Sequence, residues 1–220
     1  MGLTVQLAGI AKTYHRFRVL EDCSYTFEAG GAYILHGDNG SGKSTLFRIA
    51  ALLEAPDRGQ VRYLEGDRVL PPDIHLKRRL SMVLPQVGIF SRSVFDNVAY
   101  GLKIRGMSKQ LVRTRVAQAL EEVGLRHKSA QPAATLSSGE TMRLGLARAV
   151  AIDPEVLFLD EPTTHIDKVN SRLIEDCIRR VRQERALTLI IITHDPAQAD
   201  RLGGRRLLLQ NGRLFTLPGR

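Results

Sequence analysis

Eight consecutive residues, Gly37-Asp38-Asn39-Gly40-Ser41-Gly42-Lys43-Ser44, fit the pattern G-x-x-x-x-G-K-[ST]. Each residue type in it has a physical task. Glycines let the backbone wrap closely around a phosphate, where a side chain would collide and a positive φ would be costly. The loop N–H groups, with the start of the helix expected after them, offer partial positive charge to an anion. Lys43 adds a point charge suited to β- and γ-phosphates, and the Ser44 hydroxyl can ligate Mg²⁺. Downstream, Val156-Leu157-Phe158-Leu159 reads as a buried strand ending in Asp160-Glu161. Open α/β sheets bind ligands at that edge. Asp160 can orient Mg²⁺ or its water, and Glu161 can polarise an attacking water, which phosphoryl transfer to water requires.

These groups need elements to carry them. Tyr33-Ile34-Leu35 is an apolar run that leads into the glycine-rich loop, and Leu46, Ile49, Ala50 and Leu53 recur after it at helical spacing. Val5, Leu7, Tyr25 and Phe27 alternate as in short strands, with Gly30-Gly31 as a turn, and Leu80 to Leu84 reads as a further strand. From Gln86 to Ile152 strand signals give way to helical ones, as in Leu111, Val116, Leu120, Val123 and then Leu144, Leu146, Ala147, Val150. Strand signals return at Val156 and again at Leu189 to Ile192, with Leu173, Ile174, Cys177, Ile178 and Val181 as one helix face between them. Asn211-Gly212 marks a hairpin turn. Apolar runs separated by amphipathic helices are what a parallel sheet covered on both faces requires. The expectation is an α/β core with an inserted helical subdomain.

The chain has 220 residues, with 32 Lys+Arg against 23 Asp+Glu, a formal charge of +9. That length suits one large domain or a core with a subdomain, which needs no disulfide or structural metal to hold its core. Cys23 and Cys177 lack zinc or redox spacing, and His15, His36, His75 and His127 show no ligand spacing, so they read as surface or packing residues. A reduced, cytosolic protein fits best. The most apolar stretch, Leu187 to Ile192, is far short of the ~20 residues that span a bilayer, and no signal peptide is read.

Taken together, the motifs resemble the ATP-binding-cassette (ABC) ATPases over essentially the whole chain. Leu136-Ser137-Ser138-Gly139-Glu140 is similar to that family's signature, usually LSGGQ, and Arg143 to Ala149 matches the helix after it. Ser138 replaces the usual first glycine and Glu140 the usual glutamine. Gln86 matches the Q-loop glutamine, Asp167 the D-loop aspartate and His194 the switch histidine, while Tyr14 falls where the family carries an adenine-stacking aromatic.

The resemblance implies an α/β P-loop NTPase (RecA-like) fold: a mostly parallel sheet flanked by helices, an N-terminal antiparallel β subdomain and an inserted α-helical subdomain. The core and β subdomain would span 1–85 and 153–220, and the helical subdomain 86–152. It implies ATP and Mg²⁺ as cofactors. Nucleotide binding would fall to Tyr14, Gly37, Asn39, Gly40, Ser41, Gly42, Lys43, Ser44 and Thr45, with Ser137, Gly139 and Asp167. Glu161, His194, Lys43 and Gln86 would be catalytic, and Ser44, Gln86 and Asp160 would serve the metal. Two copies would sandwich ATP head to tail, each loop facing the other's Ser137 and Gly139.

Other implied partners are membrane permease subunits and an external substrate-binding protein, with no nucleic acid. The chain would sit on the cytoplasmic face of the membrane. The segments Gln86 to Phe90 and Val94 to Val98 resemble the surface that receives a permease's coupling helix. Ser171 to Glu175 and Ala197 to Leu202, with Glu140, are similar to cassettes of tungstate-type oxyanion importers. An exporter of lipid or lipoprotein is the alternative, and a soluble ABC ATPase acting on nucleic acid a more distant one.

Overall fold

The computed structural model describes residues 2–218. In chain order the elements are strands β1 (Thr4–Tyr14), β2 (Phe17–Phe27) and β3 (Ala32–His36), helix α1 (Lys43–Ala50), β4 (Arg58–Glu65), β5 (Arg68–Leu70), α2 (Ile74–Lys77) and β6 (Leu80–Val83). There follow α3 (Val94–Ile104), α4 (Lys109–Glu122) and α5 (Ser138–Ala151), then β7 (Val156–Asp160), α6 (Lys168–Glu184), β8 (Thr188–Ile192), α7 (Pro196–Leu202), β9 (Arg205–Gln210) and β10 (Arg213–Thr216).

The strands form two sheets. One has the order β2-β1-β4-β5 and is antiparallel throughout. The other runs β10-β9-β3-β8-β7-β6, with β3 parallel to both β8 and β9 and β7 parallel to β8. All five residues of β7 and of β8 are buried, the mark of strands covered on both faces. Such a strand shows no alternation, which is why its sequence reads as a continuous apolar run. Asn211 and Gly212 join β9 to β10 with φ of 50° and 72°, the two positive values that a type I′ hairpin turn requires. The ring of Phe47 on α1 meets that of Phe158 on β7 edge to face at 5.4 Å between centroids, fixing the helix behind the glycine loop to the strand that carries the acids.

The chain divides into two compact units, residues 1–82, 155–161 and 186–220 in the first, and 83–154 and 162–185 in the second. Periodicity assigns 153–220 wholly to the core. In the structure α6 groups with 83–154 instead: it contacts α5 and α4, and it buries the apolar line Ile174, Ile178 and Val181. Leu173 is also corrected: it is exposed, whereas Glu175 is buried. The two flank that apolar line on opposite sides, and spacing alone does not say which flank is covered. Likewise α1 stops at Ala50, because Leu52 takes a left-handed φ of 58°, and Leu53 is left exposed instead of closing the helix face. Leu84 lies past the end of β6 and is exposed, and on α4 it is Val112, not Leu111, that is buried.

Candidate nucleotide-phosphate site

The glycine loop joins β3 to α1, as strand–loop–helix spacing predicts. Two glycines are required by geometry. Gly37 has φ 152°, and a Cβ there would lie 2.4 Å from the Leu209 carbonyl oxygen; Gly42, with φ 100°, caps α1, and its Cβ would lie 2.8 Å from Val19 Cγ1. Because Gly42 has no side chain, nothing from the cap position competes for the first N–H groups of α1, and no acid lies in its first turn. An anion from outside can therefore take those donors. The Ser41 hydroxyl is buried without a hydrogen-bond partner. A cradle with an orphaned hydroxyl and open helix donors fits a phosphate group.

Lys43 is buried, with its ammonium donating to the carbonyl oxygens of Gly37 and Asp38, both at 2.8 Å. An ammonium has three donors. Two hold the loop in shape, which leaves the third for an anion.

Asp160 ends β7 and is buried, and its carboxyl is pushed above the ordinary range, first by that burial and then by the nearby Glu161 charge; a hydrogen bond from Ser44 opposes both. A hydroxyl and a carboxylate so joined are hard oxygen donors of the kind Mg²⁺ takes beside phosphate oxygens. Glu161 follows in a left-handed conformation, φ 48°, pinned by its N–H donating to the Ile192 carbonyl at 3.0 Å. A non-glycine residue held there is strained, and such strain gathers at functional sites. His194, past the end of β8, is exposed, with Nδ1 3.5 Å from Glu161 Oε2.

One cavity of about 360 Å³ is lined by Tyr14, Val19, Asn39, Gly40, Gly42 to Thr45 and Glu161. Beside it, His194 shares a cavity of about 510 Å³ with His36, Asp38 and Arg206. Thus Tyr14, Asn39, Gly40, Gly42, Lys43, Ser44, Thr45 and Glu161 are brought together around one cavity.

Gln86, Ser137, Gly139 and Asp167 lie in the helical unit. Gln86 sits in the exposed segment after β6. Ser137 is the N-cap of α5 and forms a full capping box: its hydroxyl accepts from the Glu140 N–H at 3.3 Å, and its own N–H donates to Glu140 Oε2 at 3.0 Å. Glu140 also pairs with Lys128 at 2.6 Å, and that bond first, then the Ser137 N–H, holds its carboxyl below the usual carboxylate range. Lys128→Met should therefore raise the Glu140 carboxyl toward its ordinary value, read by carboxyl NMR titration. A depressed carboxyl contributes stability above its unfolded pKa and loses it as pH falls through the folded one. The variant should lose stability relative to the wild type at neutral pH, and the gap should close in acid.

Gly139 is buried against Asn170, whose Cβ a methyl group there would meet at 2.7 Å. Asn170 in turn donates to Asp167 Oδ2 at 2.7 Å, and Asp167 caps α6 by accepting from the Val169 and Asn170 N–H groups. The glycine of one motif is thus fitted to the aspartate of another through a residue that neither motif contains. Val19, Arg48, Glu54, Lys128 and Asn170 were not singled out from sequence, and none sits in a spaced pattern.

The chain is similar to known proteins in sequence and in fold. The family model described as "ABC transporter" matches residues 20–164. The tungstate uptake system ATP-binding protein TupC of Peptoclostridium acidaminophilum is 37% identical, over 99% of both chains. The molybdate/tungstate import ATP-binding protein WtpC of Thermococcus kodakarensis is 36% identical over 98% of this chain and 64% of its own length. Among solved structures, cbiO1 of Clostridium perfringens superposes with a TM-score of 0.87 at 25% identity, covering 98% of this chain and 88% of that one. A post-hydrolysis dimer of the cassette MJ0796 bound to ADP and Pi gives a TM-score of 0.83 at 25% identity, over 98% and 100%. No helix among the described residues is long and apolar enough to cross a membrane. With the loop, the acidic strand end and the helical unit all in place on a P-loop NTPase fold, the chain belongs to the ABC transporter family, as one of its ATP-binding, ATP-hydrolysing cassettes.

Proposed function

We propose that this cassette powers a membrane importer of tungstate- or molybdate-type oxyanions, working as a homodimer on the cytoplasmic face of the membrane against permease subunits, with an external binding protein delivering cargo. The observation that carries the ATPase part is the cavity in which the glycine loop, Tyr14 and Glu161 converge, with His194 Nδ1 3.5 Å from Glu161 Oε2. The likeness to TupC over the full length of both chains supports the oxyanion part.

In this reading Tyr14 takes the base and the loop from Gly37 to Thr45 takes the phosphates, with Lys43 between β and γ. Ser44, Asp160 and Gln86 would hold Mg²⁺, which would supply neutralisation of phosphate charge. Glu161 accepts a proton from the attacking water, and His194 contacts the γ-phosphate and steadies that water. Ser137, Gly139 and Asp167 meet the nucleotide held by the second copy, the N-terminus of α5 turning its partial positive charge toward it. Hydrolysis removes the charge that joins the copies, and they part.

The permease would dock on the segment Gln86 to Phe90 and on the exposed apolar side chains Leu84, Ile89, Tyr100 and Ile104; Val94 and Val98 of the other expected segment are buried in α3 and offer it no surface. The loop that bears Ile89 is built for rigidity. The buried Asn97 side chain accepts from the Phe90 N–H at 2.8 Å and donates to the Phe90 and Ser93 carbonyls at 3.1 and 3.0 Å. The Arg148 guanidinium lies 5.0 Å from the Phe90 ring centroid. The isolated chain should hydrolyse ATP slowly and gain at least tenfold on reconstitution with its permease and binding protein in the presence of tungstate. No gain with any permease would remove the importer assignment.

A further inference from the structure

Tyr14 ends β1, next to a hairpin turn where His15 takes a left-handed φ of 54°. An aromatic side chain at such a place has rotamer freedom to lose when it stacks on a ligand, and that loss subtracts from the binding. Here the ring is already tied down. Its hydroxyl donates to Glu54 Oε1 at 2.5 Å, forty residues away in sequence. With its one O–H so engaged, Tyr14 has no donor left for a base edge and offers its ring face.

Glu54 is itself held from several sides. Arg48 donates from Nε to Glu54 Oε2 at 3.2 Å and from Nη2 to the Tyr14 oxygen at 3.4 Å, and Lys12 Nζ lies 3.3 Å from Glu54. Lys12 Nζ also donates to the Ala55 carbonyl at 2.8 Å and lies 5.6 Å from the Tyr14 ring centroid. Asp57 completes the stitching by accepting from the Thr13 N–H at 2.7 Å while its own N–H donates to the Ala11 carbonyl at 2.9 Å. The segment after α1 is therefore fastened to the end of β1 residue by residue. The network also reaches the phosphate loop, because Arg48 Nη2 lies 3.3 Å from Oγ1 of Thr45, which lines the same cavity as Tyr14.

We propose that Glu54 is a positioning residue for nucleotide binding: it latches the Tyr14 ring in a stacking orientation and, through Arg48, ties that ring to the helix behind the phosphate loop. The Glu54 carboxyl is held below its usual range, first by the Tyr14 hydroxyl and also by Arg48 and Lys12, so it is a full acceptor at neutral pH. The latch rests on the nucleotide reading of the cavity.

The test compares two probes, ATP and inorganic tripolyphosphate, each with Mg²⁺, on the full chain by titration calorimetry. The phosphates alone do not reach a base platform, so tripolyphosphate reports the loop without the latch. Glu54→Ala should weaken ATP about 5- to 10-fold, as expected for partial loss of a base–aromatic stack, and leave tripolyphosphate within twofold. Tyr14→Phe keeps the ring but removes the tie, and it should lose a similar factor for ATP. Glu54→Gln, which keeps an acceptor for the hydroxyl, should recover most of the affinity. In Tyr14→Phe, adding Glu54→Ala should cost nothing further. Wild-type ATP affinity in Tyr14→Phe or Glu54→Ala would overturn the latch, as would an equal loss for both probes, which would mean that Glu54 acts through the loop or the fold. A wild-type chain that binds neither probe would instead overturn the nucleotide site itself.

Discussion

Glu161→Gln is expected to lower the rate of ATP turnover by about 10³-fold, within the 10²–10⁴ range that a general base contributes, while leaving ATP affinity within a few-fold of wild type. Gln has nearly the same shape as Glu and can still accept a hydrogen bond from His194, 3.5 Å from the present carboxylate. It makes the same backbone bond to the Ile192 carbonyl, so the left-handed turn at this position is retained. What it lacks is the capacity to take a proton from water. The γ-phosphate then stays in place, and the variant should accumulate as an ATP-bound dimer, seen by size exclusion with ATP and Mg²⁺. There is a second signature. Glu161 is one of the causes that hold the Asp160 carboxyl above its ordinary range, so the neutral amide should let that carboxyl fall. A variant that turns over normally and elutes as a monomer would remove Glu161 from the chemistry.

Lys43→Met should weaken ATP binding by about 10²-fold. The charge-assisted contact of ~1.5–3 kcal/mol made by the donor that the loop carbonyls leave over is at stake, and ~1.4 kcal/mol corresponds to tenfold in affinity. Methionine fills the buried volume of the lysine stem, so the loss reports the ammonium and not a cavity. The same change leaves the Gly37 and Asp38 carbonyls, now 2.8 Å from Nζ, without that donor, so the empty loop should also lose stability. Calorimetry gives the affinity. Thermal unfolding with and without ATP gives a second reading, because the stabilisation by ligand falls as RT ln(1 + [L]/Kd). An unchanged Kd would contradict the assignment of residues 37–44 to the phosphates.

What the amino-acid order determined by itself is the chemistry that is local along the chain. The loop from Gly37 to Ser44, the acids at the end of β7, the serine and aspartate caps of α5 and α6 and the Asn-Gly hairpin all lie within a few consecutive residues. Their geometry follows from residue type and position: φ freedom at glycine, capping oxygens at Ser137 and Asp167, burial of a continuous apolar run. Tertiary structure decided the pairs that are distant in sequence. The Tyr14–Glu54 tie, the fit of Gly139 to Asn170, the Lys128–Glu140 pair and the exposure of Leu173 in place of Glu175 leave no period or spacing in the sequence. A helix has several flanks of similar composition, and an acid or amide alone does not name its partner. Only the packing of one element on another selects them.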